Sequence, residues 1–261
     1  MKPLRHPIGV FDSGVGGLTV LKALRSELPG HDFLYLADTA RVPYGRKPPE
    51  MVREFASGIT QFLIRHGVEA VVVACNTASA AALPELAQQT PVPLWGVIEP
   101  GVEAARRVTR SGRVGVIGTP GAIRSGAYQQ RLEALGLTVW AQACPLFVSV
   151  VEEGLSDAPE AELMAKHYLA NHPDIDTLIL GCTHYPVLRD VIQRVMGDGV
   201  TLVESAQVTA EVVKAALPPN GDNATGRIQH FVTGDLLAYQ HSAQVIGGVD
   251  GEMQWLDVTT L

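Results

Sequence analysis

Residues 8–17, I-G-V-F-D-S-G-V-G-G, decide the fold. The apolar run 8–11 has the character of a buried strand and stops at Asp12, where a glycine-rich turn, Gly14 to Gly17, begins. Beyond that turn Leu18, Leu21, Leu24 and Leu28 recur at helical spacing until Pro29-Gly30 ends the pattern. A buried strand, a tight turn and an amphipathic helix open a parallel βαβ arrangement. The same order continues outward from this stretch. Phe33–Ala37 reads as a second strand ending at Asp38. Pro49 opens a helix whose Val52, Phe55, Ile59, Phe62 and Leu63 share one face and which closes at Gly67. Residues 71–74 read as a strand ending at Cys75, and a helix of small residues follows.

The second half repeats the order. Residues 114–117 form a strand leading into Gly118-Thr119-Pro120-Gly121, then a helix to Leu135 stopped by Gly136. Residues 178–180 form a strand running into Gly181-Cys182, with a helix begun near Pro186. Ser13 and Cys75 are 62 residues apart, and Thr119 and Cys182 are 63 apart. The expected architecture is α/β: two similar domains with mostly parallel sheets, related by pseudo-twofold duplication, with the active site in the cleft between them. The first domain is expected to comprise residues 1–97 and 211–261 and to carry Cys75; the second, 98–210, carries Cys182. The segment L-P-P-N-G-D-N-A-T-G, 217–226, is the clearest loop. After it come a strand at Ile228–Val232, a helix started by Thr233-Gly234-Asp235 and a short strand near 253–256, a tail expected to pack back onto the first half.

Composition removes several classes of function. The chain has 261 residues, 46% of them hydrophobic, so a substantial core is available and wholesale disorder is excluded. With 20 Lys+Arg against 27 Asp+Glu, the net charge of −7 argues against nucleic acid as a partner. The most apolar stretch, 68–83, carries Glu69, Asn76, Thr77 and Ser79 and falls short of the roughly 20 apolar residues of a membrane span. The N-terminal apolar run is also shorter than the about 7–15 residues of a signal peptide. Three widely spaced cysteines, Cys75, Cys144 and Cys182, suit free thiols in a reducing compartment, and a cytoplasmic protein is expected.

Dinucleotide binding needs G-x-G-x-x-G, and here Thr19 stands in the third glycine's place. The glycines are therefore read as backbone donors for an anion such as a carboxylate. The sharper signal is the pair A-C-N-T-A at 74–78 and G-C-T-H-Y-P at 181–186. Each cysteine sits at the carboxyl end of a strand, where open α/β sheets bind ligands, and each precedes a helix N-terminus that favours a thiolate. Cys144 has neither feature and is assigned to packing. A redox pair would use C-x-x-C, which is absent. Zinc would want close ligand pairs that Cys75, Cys182 and His184 do not make, so no metal is expected. A cysteine hydrolase gives no reason for a second matched cysteine, and Tyr185 stands where a nucleophile elbow needs glycine. No lysine lies near these strand ends to hold pyridoxal phosphate. Duplication is best explained by a reaction of near-mirror symmetry, in which a proton leaves one face of a carbon and returns on the other.

Taken together, these segments resemble the glutamate racemases of the aspartate/glutamate racemase family. The resemblance runs through F-D-S-G-V-G-G at 11–17, R-V-P-Y-G at 41–45, A-C-N-T-A-S-A at 74–80 and G-V-I-E-P-G at 96–101. It continues through G-V-I-G-T at 115–119, V-E-E-G at 151–154 and G-C-T-H-Y-P at 181–186. His184 after Cys-Thr matches the glutamate enzymes, where aspartate racemases carry Glu. The resemblance implies cofactor-independent interconversion of L- and D-glutamate, supplying D-glutamate for peptidoglycan, with a homodimer compatible with the family. It implies Cys75 as the base toward D-glutamate and Cys182 toward L-glutamate, with Asp12 and His184 assisting. Substrate contacts are implied for Asp12, Ser13, Tyr44, Gly45, Asn76, Thr77, Thr183 and His184, with Thr119 a weaker addition and Glu152 or Glu153 near the site. Thr39, Ser149 and Glu204 depart from the family pattern and are expected to affect only local loops and helix starts. On physical grounds Asp12 would raise a neighbouring thiol's pKa and is read as the partner of the substrate ammonium, or as a proton shuttle only within the complex. A racemase for aspartate or another acidic amino acid, and a binding protein for an acidic ligand without chemistry, are the alternatives.

Overall fold

Ten strands alternate with helices in the computed structural model, which describes residues 4–218, 225–248 and 250–261. In chain order they are β1 Ile8–Asp12, β2 Phe33–Ala37, β3 Ala70–Val73, β4 Leu94–Gly96 and β5 Arg113–Gly118. Then follow β6 Thr138–Ala143, β7 Thr177–Gly181, β8 Thr201–Glu204, β9 Ile228–Val232 and β10 Glu252–Trp255. They form two sheets, ordered β10-β9-β2-β1-β3-β4 and β6-β5-β7-β8, and every pairing among the described residues is parallel. The run β2-β1-β3-β4 in the first sheet has the same order as β6-β5-β7-β8 in the second. Each half therefore sets its first and third strands side by side at its centre.

Register then fixes what stands at the strand ends. Phe11 pairs with Val73, so one step beyond the sheet Ser13 comes level with Cys75. Gly118 pairs with Gly181, so Thr119 comes level with Cys182. The two sequence intervals are the register offsets of the two central pairings. Strands β1, β2, β3 and β7 are buried throughout, as parallel strands covered by helices on both faces must be. On one face of the first sheet the helices Leu18–Glu27 and Ser205–Ala216 bury Leu18, Leu21, Leu24, Ala206, Ala210 and Val213. On its other face Pro49–Arg65 and Asn76–Gln89 bury Val52, Ile59, Leu63, Ala78 and Leu86. The second sheet is sandwiched in the same way. Ile98–Val108 and Ala127–Ala134 cover one face, and Leu146–Glu152, Pro159–Leu169 and Arg189–Met196 cover the other.

The tail joins the first sheet, β9 against β2 and β10 against β9. Asp235 caps the helix Leu236–Ile246 by accepting from Ala238 N. Of the expected loop 217–226, residues 219–224 lie outside the described residues. The helix expected to run on to Leu135 is broken into Pro120–Arg124 and Ala127–Ala134. Gly126 adopts φ +69, a left-handed conformation that ends one helix and starts the next. The helix expected near Pro186 begins as a tight 3₁₀ turn, Tyr185–Leu188, before Arg189–Met196. No described helix is long and apolar enough to cross a membrane.

One carboxylate clasps the second half together. Just before β7, Asp176 accepts from the Thr109 hydroxyl (2.7 Å), Arg110 N (2.7 Å), Ser111 N (2.6 Å) and the Thr177 hydroxyl (2.9 Å). Burial works against its charge, but the donors outweigh burial and hold the carboxyl well below the usual carboxylate range. Asp176→Ala is expected to lower unfolding stability at pH 7 by about 2–3 kcal/mol. A depressed carboxylate contributes above its unfolded pKa and is lost on acidification, so the difference should narrow as pH falls below about 4. Paired denaturant titrations at pH 7 and pH 3 check this; a gap independent of pH would contradict it.

Candidate active site

The two central strand pairs point their carboxyl ends at one cavity of about 290 Å³, and both Cys75 and Cys182 line it. That volume is at the lower end of the range for small-molecule sites, about 300–1,000 Å³, and suits a small metabolite. Cys75 follows β3 after one residue and stands at the N-cap of the helix Asn76–Gln89, 5% exposed. Its Sγ lies 3.8 Å from Ser13 Oγ, the neighbour that the β1/β3 register supplies. Cys182 follows β7, 6% exposed, with Sγ 3.9 Å from His184 Nδ1. The other ring nitrogen, Nε2, is 2.9 Å from Glu152 Oε1. Cys144 is buried in the second half's core, as its lack of strand-end features implied.

Charge is distributed unequally between the two thiols. Burial pushes the Cys75 thiol up to about 12, and the charge on Asp12 adds to the rise. This corrects the expectation that the helix N-terminus would favour a thiolate here. A helix dipole contributes about 0.3–2 kcal/mol, whereas raising the thiol this far costs the thiolate about 4 kcal/mol, so burial wins. Asp12 is itself pushed up to about 6 by burial, which outweighs the charge of His184 and the donors from Gly14, Thr183 and Gly17. On the Cys182 side burial would lower His184, but the hydrogen bonds to Cys182 and Glu152 prevail and raise it to about 10. His184 is therefore an imidazolium at neutral pH, buried and paired.

Ser13, Gly45, Asn76, Thr77, Thr183 and His184 all stand on the cavity wall. Tyr44 lines it too, but its hydroxyl is bonded to Asp38, so it is the ring and backbone that it offers to a ligand. Asp38 in turn accepts from Arg41 Nε (2.7 Å) and the Thr233 hydroxyl (2.9 Å), which anchors the 39–46 segment at the cavity mouth. Asp12 lies behind the wall, 1% exposed. Its Oδ1 accepts a long bond from the Thr183 hydroxyl (3.4 Å), and Oδ2 has no hydrogen-bond partner among the described residues.

The glycine-rich turn serves close approach. A Cβ on Gly16 would lie 2.5 Å from His184 Nδ1, and one on Gly17 would lie 2.6 Å from the Tyr35 hydroxyl, which itself bonds Gly14 O. Thr19, the residue that spoils the dinucleotide pattern, donates to Thr183 O at 3.0 Å and ties this turn to the Cys182 loop.

The helix Leu146–Glu152 adds Val148, which the sequence does not single out, to the cavity wall. Glu152 stands four residues after Val148 and three after Ser149, and all three share the face that lines the cavity, while Phe147, Val150 and Val151 pack inward. That spacing selects Glu152 over Glu153, which is exposed. It also brings Ser149 onto the wall, so this departure from the family pattern touches the cavity itself and is not confined to a helix start. The Thr77 and Thr119 hydroxyls, one from each half, are 2.8 Å apart across the cavity floor.

A family model described as Asp/Glu/Hydantoin racemase matches residues 15–213. Glutamate racemase from Thermus thermophilus is 55% identical over 251 residues, 95% of each chain. The crystal structure of glutamate racemase from Thermus thermophilus in complex with beta-chloro-D-alanine superposes with a TM-score of 0.91 at 52% identity, covering 100% of both chains. That of glutamate racemase from Francisella tularensis in complex with D-glutamate gives 0.90 at 33% identity, covering 98% of this chain and 99% of that one. By family match, by identity along nearly its whole length and by its paired-sheet architecture, the chain belongs to the Asp/Glu/hydantoin racemase family.

Proposed function

We propose that this protein interconverts L- and D-glutamate, with Cys75 and Cys182 exchanging the Cα proton on opposite faces of the substrate. The observation that carries this reading is that both thiols, at equivalent strand ends of the two halves, line one small cavity. The choice of glutamate is supported by the Thermus relative and by the D-glutamate complex of the Francisella relative. His184, the residue that separates the glutamate-type from the aspartate-type sequence pattern, is bonded to the cavity's second thiol. The chain is proposed to divide into 1–97 with 211–261 and 98–210, to act in the cytoplasm and to supply D-glutamate for peptidoglycan.

In the proposed cycle the Cys75 thiolate takes the Cα proton of D-glutamate and the Cys182 thiol delivers its own to the opposite face. The return direction reverses both transfers. Negative charge moves onto the α-carboxylate as the Cα–H bond breaks, and the donors of Asn76, Thr77 and Thr183 meet it there. The wall is preorganised for this, since these residues are buried at 4–7% exposure and held on helix starts. Asp12, behind the wall between Cys75 and the Thr183-His184 segment, raises the Cys75 thiol and draws the substrate ammonium toward it. The ammonium offsets the Asp12 charge that raises the Cys75 thiol, so proton abstraction becomes easier only when substrate is bound. On the other side His184, held by Glu152, is a ready donor to Cys182 at 3.9 Å.

Both enantiomers of glutamate should exchange Cα hydrogen with solvent deuterium, whereas aspartate should exchange far more slowly. Cys75→Ala and Cys182→Ala should each reduce racemisation by at least about 10³-fold, the scale expected when a positioned acid/base group is removed. Binding of glutamate without exchange, or full exchange in either variant, would contradict the reading. A second expectation concerns Asp12. A buried carboxyl raised to about 6 burdens the fold when ionised, fully above pH 6 and not at all below about pH 4. Asp12→Asn should therefore unfold with up to about 3 kcal/mol more stability at pH 8, converging with the parent below pH 4. The same variant should raise KM and lower kcat together; a change in kcat alone would contradict the ammonium role.

A further inference from the structure

We infer that Tyr128 is a positioning residue for the racemisation, setting the orientation of the Asn76 amide from across the two halves; this rests on the reading of the site given above. Tyr128 lies on the helix Ala127–Ala134 of the second half, is fully buried and lies outside the cavity wall. Its hydroxyl donates to Asn76 Oδ1 at 2.7 Å and lies 3.3 Å from Ser205 Oγ. Asn76 immediately follows Cys75 and lines the cavity. The tyrosine ring packs on the other catalytic loop as well, since a Cβ on Gly181, the residue before Cys182, would lie 3.2 Å from Tyr128 Cε2. One side chain thus touches the residues flanking both thiols.

The bond from the Tyr128 hydroxyl to Asn76 Oδ1 sets the orientation. An amide offers one acceptor oxygen and one NH₂ donor pair, and a phenol hydroxyl has a single hydrogen. That hydrogen goes to Asn76 Oδ1, which leaves the Tyr128 oxygen to accept from Ser205. With its oxygen engaged, the Asn76 amide turns its Nδ2 donors to the remaining open side, the cavity, where an α-carboxylate needs donors. Burial raises the Tyr128 phenol above its ordinary range, with the Ser205 bond opposing, so the hydroxyl keeps its proton and stays a donor throughout the working pH range. A flipped amide would present an oxygen to a carboxylate, which is repulsive. The bond from Tyr128 thus discriminates between a wall that attracts substrate and one that repels it.

The test is steady-state racemisation of both glutamate enantiomers by Tyr128→Phe, Asn76→Ala and the double variant, with thermal unfolding of each. Phenylalanine keeps the ring and its packing on Gly181 and removes only the hydroxyl. Tyr128→Phe should raise KM about tenfold, in keeping with loss of one orienting buried hydrogen bond, and lower kcat as well, because the same amide meets the charge that builds on the α-carboxylate. The fall in kcat/KM must be equal for the two enantiomers, because the equilibrium constant of a racemisation is one. In the Asn76→Ala background the Tyr128 change should have no further effect on KM, since its action runs through that amide. An unchanged KM in Tyr128→Phe, or equal KM effects in both backgrounds, would overturn the assignment. A wild-type protein that does not racemise glutamate would instead overturn the reading of the site. Should Tyr128→Phe unfold early, Ser205→Ala, which removes the second anchor of the same hydroxyl, should raise KM in the same direction, and an unchanged KM there would overturn the assignment.

Discussion

The parallel pairing of the first and third strand in each half is the constraint on which the rest of this structure depends. Parallel register is indivisible: a slip of one residue exchanges the faces of a strand and moves the strand-end residue off its level. Here the offsets between Phe11 and Val73 and between Gly118 and Gly181 carry Ser13 to Cys75 and Thr119 to Cys182. Strands buried on both faces have little freedom to slip, because each would have to move its whole apolar set. The positions of the two thiols are thus set by the cores of the two sheets. The loops contribute the groups around them.

Pseudo-symmetry of the backbone does not extend to the electrostatics. On one side a buried thiol stands near a buried carboxylate whose Oδ2 has no partner among the described residues, an arrangement unfavourable to further negative charge. On the other, a thiol touches a buried imidazolium held by a carboxylate. A ligand carrying an ammonium and a carboxylate complements this arrangement in one orientation, positive end toward Asp12 and negative end toward the donors at the helix starts. The site fits the general pattern in which buried charge costs stability and is retained for function.

Much of this was written in the chain, and the parts that were not have physical reasons. The strands Phe33–Ala37 and Ile228–Val232 announce themselves because they are short apolar runs bounded by turn residues. Thr138–Ala143 does not, since it is an edge strand with half-exposed side chains and no apolar run. The break at Gly126 was hidden because a single glycine inside a helical pattern is tolerated as often as it ends one. Cys75, Cys182 and His184 could be picked out because their surroundings at strand ends are unusual. Glu152 required the helical phase of residues 146–152, and Tyr128 could not be found from sequence at all. Its partner Asn76 is 52 residues away, and only the packing of one half on the other brings them together. From sequence the Gly14 to Gly17 turn reads as an anion cradle, whereas close approach to Thr183 and His184 at Gly16 and to Asp12 and Tyr35 at Gly17 is what excludes side chains there. A glycine-rich turn signals close approach, and sequence does not say of what.

The central claim is that two sulfur atoms flank one carbon. A crystal structure with D-glutamate bound tests it directly, by the distances from each Sγ to Cα. The expected result is that both sulfurs lie within about 3–4 Å of Cα, on opposite faces, with the α-carboxylate on the Asn76, Thr77 and Thr183 donors. Substrate seated with one sulfur turned away, or with both on the same face of Cα, would contradict it.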